Sequence, residues 1–173
     1  MQPITGGVSL RTILPNARYS RATDLNFTSC CSDSRNCRPG DLFIAIVGSE
    51  DDGHDHIAEA VDRGAIGVLS ERFVSTTVPL CIVPDTRDGY GHICQALADA
   101  PCDKLFIVGV SGTSGKTAAT MLLAGIFKQA RISTGIMSSF GISDTIDIHD
   151  SPKVMSRAPE IAKHLSRFSL NGC

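Results

Sequence analysis

An apolar run that gives way to glycines and then to a helix is the feature that most restricts this chain. Residues 105–120 read LFIVGVSGTSGKTAAT, with Gly109, Gly112 and Gly115 leading directly into Lys116 and Thr117. Glycines let the backbone turn tightly between a strand and a helix. The helix start then offers unpaired amides and the positive end of a dipole to an anion. A lysine adds a point charge, and the following hydroxyl is a magnesium ligand. The segment thus predicts KLFIVGV as a strand, GTSGKT as a phosphate loop and AATMLLAGIFKQA as a helix, with ATP as the favoured ligand. The strict spacing G-x-x-x-x-G-K-[ST] is missed, because Val110 stands where it wants glycine. A glycine-rich turn with an incidental lysine is the plainer alternative.

The upstream half has the same alternating character. TSCCSDSR reads as a short strand with a polar tip, and NCRPGD as a turn shaped by Pro39 and Gly40. DLFIAIVG is a continuous apolar run, as expected of a strand buried on both faces in a parallel sheet. HIAEAVDRGA has helical spacing and stops at Gly64; IGVLSE and PLCIVPD are further strands, and TRDGYGHICQALADA a further helix. The pattern breaks at Ala100–Lys104. This divides the chain into residues 1–102 and 103–173, the second beginning with the fresh strand–loop–helix unit. Beyond it, RISTGIMSSFGI is expected to be a strand with its trailing loop, residues 144–153 a polar turn-rich stretch, and APEIAKHLSRFSL a last helix with Pro159 in its first turn. The fold class is therefore α/β: a small N-terminal α/β domain followed by a truncated P-loop-type parallel α/β domain.

Charge and composition exclude several functions. A net charge of −2 and a pI near 6.2 leave no electrostatic footprint for nucleic acid and no basic membrane anchor. MQPITGGVSLRT lacks the apolar core of a secretory signal, and no stretch approaches the roughly 18 apolar residues of a membrane span. A cytoplasmic location is expected. The seven cysteines, Cys30, Cys31, Cys37, Cys81, Cys94, Cys102 and Cys173, contain no C-x-x-C pair. Buried reduced thiols are the expectation; the alternative is zinc on Cys30, Cys31 and Cys37 with His54 or His56 as fourth ligand.

Three stretches in order resemble the Mur ligase family: SDSR at 32–35, PGDLFIAIVG at 39–48 and DGHDHIAEAVDRGA at 52–65, followed by GVSGTSGKT, which is similar to that family's ATP loop. The resemblance covers about residues 20–173. It is nearest to the member that adds the third residue of the peptidoglycan stem peptide. It implies a UDP-substrate-binding domain over 1–102 and the start of the central ATP-binding domain over 103–173. It also implies a reaction: ATP phosphorylates the carboxylate of UDP-MurNAc-L-Ala-D-Glu, and the amine of a diamino acid displaces phosphate from the acyl phosphate. By the same resemblance, Gly112, Thr113, Ser114, Gly115, Lys116, Thr117 and Ala118 would hold the ATP phosphates. Lys116 would act catalytically on the β/γ oxygens, and Thr117 on Mg²⁺. Ser32, Ser34, Ser49, Glu50, Asp51 and Lys153 would meet the UDP substrate.

Each assignment has a structural competitor. Ser32 and Ser34 would equally be strand-end hydroxyls, and Asp33-Ser34-Arg35 a capped turn with a surface ion pair. The run Glu50-Asp51-Asp52 reads as a solvated loop, His54 and His56 as capping or surface residues, and Met121 and Leu122 as core. The chain departs from the family pattern at Ser114 and Ala118, where Asn and Thr are usual. A second departure is Val154-Met155 in place of a Thr-Thr pair, with Lys153 or Ser156 as compensation. It is expected to be inactive alone, since the later catalytic residues would lie past Cys173. The competing function is a non-catalytic nucleotide-binding remnant or paralogue; a P-loop kinase or GTPase leaves the upstream half unexplained.

Overall fold

The computed structural model describes residues 7–49, 51–144, 148–149 and 157–173. Backbone proximity divides the chain into two compact units, Met1–Leu97 and Ala98–Cys173.

The first unit opens with β1 (Val8–Ser9), the single-turn helix α1 (Leu10–Ile13), β2 (Arg18–Ser20) and β3 (Asn26–Phe27). Sequence patterning does not find these pieces, yet they anchor the unit. Leu10 and Phe27 are buried, β1 pairs antiparallel with β3, and the Ser9 hydroxyl caps α1 while donating to Asp24 Oδ2 at 2.7 Å. The regular part follows as β4 (Ser29–Cys31), β5 (Asp41–Ile44), α2 (Ile57–Asp62), β6 (Gly67–Ser70), β7 (Leu80–Ile82) and α3 (Thr86–Leu97). Five strands form one sheet in the order β2-β7-β6-β5-β4. β4 to β7 run parallel, and β2 closes the far edge antiparallel to β7.

Every residue of β5 and β6 is buried, and both strands are apolar apart from Asp41 and Ser70 at their ends. The register pairs Phe43 with Val68 and Val68 with Leu80. These three face α2, where Ile57 and Ala60 complete a core with Cys37, Ala45 and Ala65. Leu42, Ile44 and Leu69 project from the opposite face, toward α3 and its buried Ile93 and Cys94.

The second unit contains a 3₁₀ turn at Pro101–Asp103, α4 (Lys116–Gln129), β8 (Ile136–Ser138), β9 (Gly141–Ser143), β10 (Ile148–His149) and α5 (Ala158–Leu170). Its strands are antiparallel in the order β10-β9-β8, so the segment expected to be one strand and a loop is a tight hairpin. Parallel pairing, among the described residues, is confined to the first unit. KLFIVGV is not a strand: residues 106–112 carry no regular structure, and Phe106 is 92% exposed. A strand needs a neighbour to complete its ladder, and no described strand lies alongside. For the same reason α4 buries no residue, and Met121 and Leu122, expected in the core, are 45% and 70% exposed. The last helix forms as expected, with Pro159 in its first turn. Its end is anchored where Arg167 meets the buried Asp144 carboxylate at 2.8 Å. No helix among the described residues is long and apolar enough to cross a membrane.

Candidate functional site

In the second unit, the glycine-rich loop meets α4 without a cap. Gly115 takes φ +78° at the N-cap position, where no side chain accepts from the first turn. Gly112 has φ +154°. Left-handed φ values are what glycine supplies at little cost. Ala119 N–H bonds to the Gly115 carbonyl at 2.9 Å, so intrahelical bonding starts only there. Among the described residues, the amides of 112–118 find no acceptor. The first turn carries no acidic side chain, so nothing there offsets the dipole of a fourteen-residue helix. Lys116 bends back, its ammonium 2.5 Å from the Gly112 carbonyl. The Thr117 hydroxyl sits 3.3 Å from that of Ser139. Thr113, Ser114 and Ala118 flank these groups. The residues expected around the anion are thus together, with donors unspent and a cation beside them. This donor set fits a polyphosphate.

In the first unit, the other candidates lie in loops leaving the carboxyl ends of β4 and β5, the edge at which open parallel sheets bind ligands. Ser32 follows β4 near the Tyr90 hydroxyl, whose pKa burial pushes up to about 12 against the lowering effect of the Ser32 side chain. Ser34 turns inward instead. It is 5% exposed, and its hydroxyl donates to Glu59 Oε2 at 2.6 Å, a bond that lowers the Glu59 pKa against the opposing effect of burial. Arg63 braces the same carboxylate and reaches the Arg35 carbonyl, each at 3.2 Å. The SDSR turn is therefore pinned to α2. Asp33 caps it and pairs with Arg35 at 2.9 Å on the surface.

Ser49 and Asp51 are exposed in the loop after β5. Asp51 pairs with His56 at 2.9 Å and raises the imidazole pKa. Glu50 and Lys153, with Val154, Met155 and Ser156, lie outside the described residues.

Two expectations need correction here. Asp52 is not simply solvated, and His54 is not a surface residue. The Asp52 carboxylate accepts the His54 amide at 3.0 Å and its Nδ1–H at 2.6 Å. It also receives Arg72 at 2.8 Å. His54 is 6% exposed, and its Nε2 accepts the Glu71 amide at 3.2 Å, which places its proton on Nδ1. Glu71 in turn caps α3 through the Thr86 amide and hydroxyl, at 3.0 and 2.8 Å. Arg87 donates to the Val47 carbonyl at 2.7 Å. These bonds tie the loop after β5 to the loops after β6 and β7. Sequence reasoning missed Arg72, Glu71 and Arg87 because single charged residues in polar loops carry no periodic signal.

Residues 26–90, which hold the parallel sheet, match the profile of the Mur ligase family, catalytic domain. The chain is a relative of the Mur ligases. The UDP-N-acetylmuramoyl-L-alanyl-D-glutamate–2,6-diaminopimelate ligase of Phocaeicola vulgatus is 31% identical over all of this chain and 35% of its own length. The ligase of the same name from Geobacillus thermodenitrificans is 33% identical, covering 77% of this chain and 27% of that protein. A solved structure under that ligase name superposes over 96% of this chain and 34% of its own, with TM-score 0.73 and 22% identity, a likeness of fold. The chain thus spans 27% to 35% of the length of these two Mur ligase sequences. The family match lies upstream of the glycine-rich loop, whereas the similarity to the Phocaeicola ligase runs through both units.

Proposed function

We propose that this chain contributes the UDP-substrate domain, over residues 1–102, and the start of the ATP-binding domain, over 103–173, of a cytoplasmic ATP-dependent amide-bond ligase. Its substrates would be UDP-MurNAc-L-Ala-D-Glu and a diamino acid, by analogy with the names its relatives carry. ATP would supply the phosphoryl group that activates the substrate carboxylate. The unspent amides of residues 112–118 would receive phosphate oxygens. Lys116 would exchange the Gly112 carbonyl for the β/γ oxygens, and Thr117 would give Mg²⁺ one oxygen ligand. In the first unit, Ser32, Ser49, Asp51 and the loop around them would meet the UDP moiety, with Glu50 and Lys153 as further contacts. The buried Ser34 would act by holding the turn.

The observation that carries this proposal is the uncapped start of α4, with Gly115 in the left-handed region and Lys116 beside it. ATP and UDP titrations on the wild type and on Lys116→Ala test it. A charge-assisted bond is worth about 1.5–3 kcal/mol, so ATP affinity should fall about 10–100-fold while UDP affinity stays level. Equal ATP affinity in the two proteins would overturn the assignment of the loop.

A further inference from the structure

We propose that Cys31, Cys37 and Asp41 form a site for a thiophilic divalent cation, with zinc as the biological candidate. Their two Sγ atoms and a carboxylate oxygen lie within 4.8 Å of one another. They come from three segments: the last residue of β4, the residue closing the turn after it, and the first residue of β5. The parallel register sets Ser29 beside Asp41 and Cys31 beside Phe43, so Cys31 and Asp41 project from one sheet face. Cys37 descends over them. Cys37 and Asp41 are 7% and 6% exposed, whereas Cys31 is half-buried and gives a route to solvent.

Zinc binds thiolate at about 2.3 Å and carboxylate at about 2.0–2.2 Å. The carboxylate is oriented in advance: one oxygen takes the Ser29 hydroxyl, and the other takes the Arg38 amide at 2.8 Å. Such outer bonds hold a ligand in place for a metal. On binding, both thiol protons leave to solvent. The set then carries three negative charges against the two positive charges of the cation. Three protein ligands leave a fourth position for water on the open, Cys31 side.

This set differs from the one the sequence offered. Cys30 lies on the opposite sheet face, where its neighbour is Cys94 of α3. His54 is committed to Asp52 and the Glu71 amide.

The test uses the reduced 173-residue chain, titrated with Co²⁺ and followed by thiolate-to-metal charge-transfer absorption, then with Zn²⁺ against a chromophoric chelator. One equivalent should bind. Cys31→Ser and Cys37→Ser should each lose part of the charge-transfer band, and these and Asp41→Asn should weaken zinc by about 10–100-fold or more. Cys30→Ser and Cys94→Ser should leave binding unchanged. Alkylation mapped by mass spectrometry needs no variant: zinc should protect the half-buried Cys31 but not the exposed Cys102. Absence of the band at stoichiometric cobalt, loss of binding in Cys30→Ser or Cys94→Ser alone, or equal alkylation with and without zinc would each overturn the site.

Discussion

Gly53 shows how little room the loop after β5 has. Its amide donates to the Ile46 carbonyl at 2.9 Å, and a Cβ built there would lie 2.7 Å from both the Ile46 nitrogen and oxygen. Backbone cannot yield as a side-chain tip does, so Gly53→Ala should destabilise the first unit by about 1–3 kcal/mol, measured as a shift in denaturant midpoint. Its neighbour Asp52 sets a pH dependence. The His54 amide first, then the His54 ring and Arg72, hold its carboxyl below the ordinary range. A group so depressed contributes stability that is complete above its unfolded pKa of about 3.9 and is lost as pH falls through the folded value. Midpoints taken from neutrality to about pH 3 should therefore decline, less steeply in Asp52→Asn. Identical slopes would remove Asp52 from the acid response. His56, raised by Asp51, acts in the opposite sense: its contribution is present below about pH 6.5 and disappears as pH rises through the raised value.

At the scale of elements, β5 is the hinge of the first unit's packing. Phe43 is 1% exposed and shares its face with Val68, Leu80 and α2. Phe43→Ala should cost about 3–5 kcal/mol, read from equilibrium unfolding; a loss below 1 kcal/mol would mean that the face collapses to fill the void. Elements like β5 are legible because burial on both faces forces a continuous apolar run, and α2 and α3 because one face alternates with solvent. The pieces between residues 7 and 27 are not legible. Their strands are two or three residues long, too short for a period, and they act through isolated anchors such as Leu10 and Phe27. KLFIVGV has the composition of a strand, but composition specifies a tendency and the ladder requires a neighbour. For the candidate site, the loop from Gly112 to Thr117 was readable because glycine spacing and lysine carry the geometry locally. The bonds from Ser34 to Glu59 and from His54 to Glu71 join residues 25 and 17 positions apart, and no local pattern announces them.

For the whole molecule, the two units differ in how much apolar surface they bury. The first buries hydrophobic side chains from Leu10 to Cys94 on both faces of its sheet. In the second, the buried hydrophobics include Ile142, Ala162 and Phe168, while Phe106, Leu122, Ile126 and Phe140 stand in solvent. Local opening costs little where few apolar groups are covered. Amide exchange followed by mass spectrometry should therefore show α4 exchanging well before β5 and β6; protection of α4 equal to that of β5 would contradict this difference.

The antiparallel placement of β2 has a practical consequence. Arg18, Tyr19 and Ser20 satisfy the outer side of β7, and without them that strand would present raw hydrogen-bonding groups to any passing chain. Strand β2 thus works as a selvage that keeps the woven edge from fraying, and anyone trimming this protein for expression should cut nothing between Gly7 and Arg21.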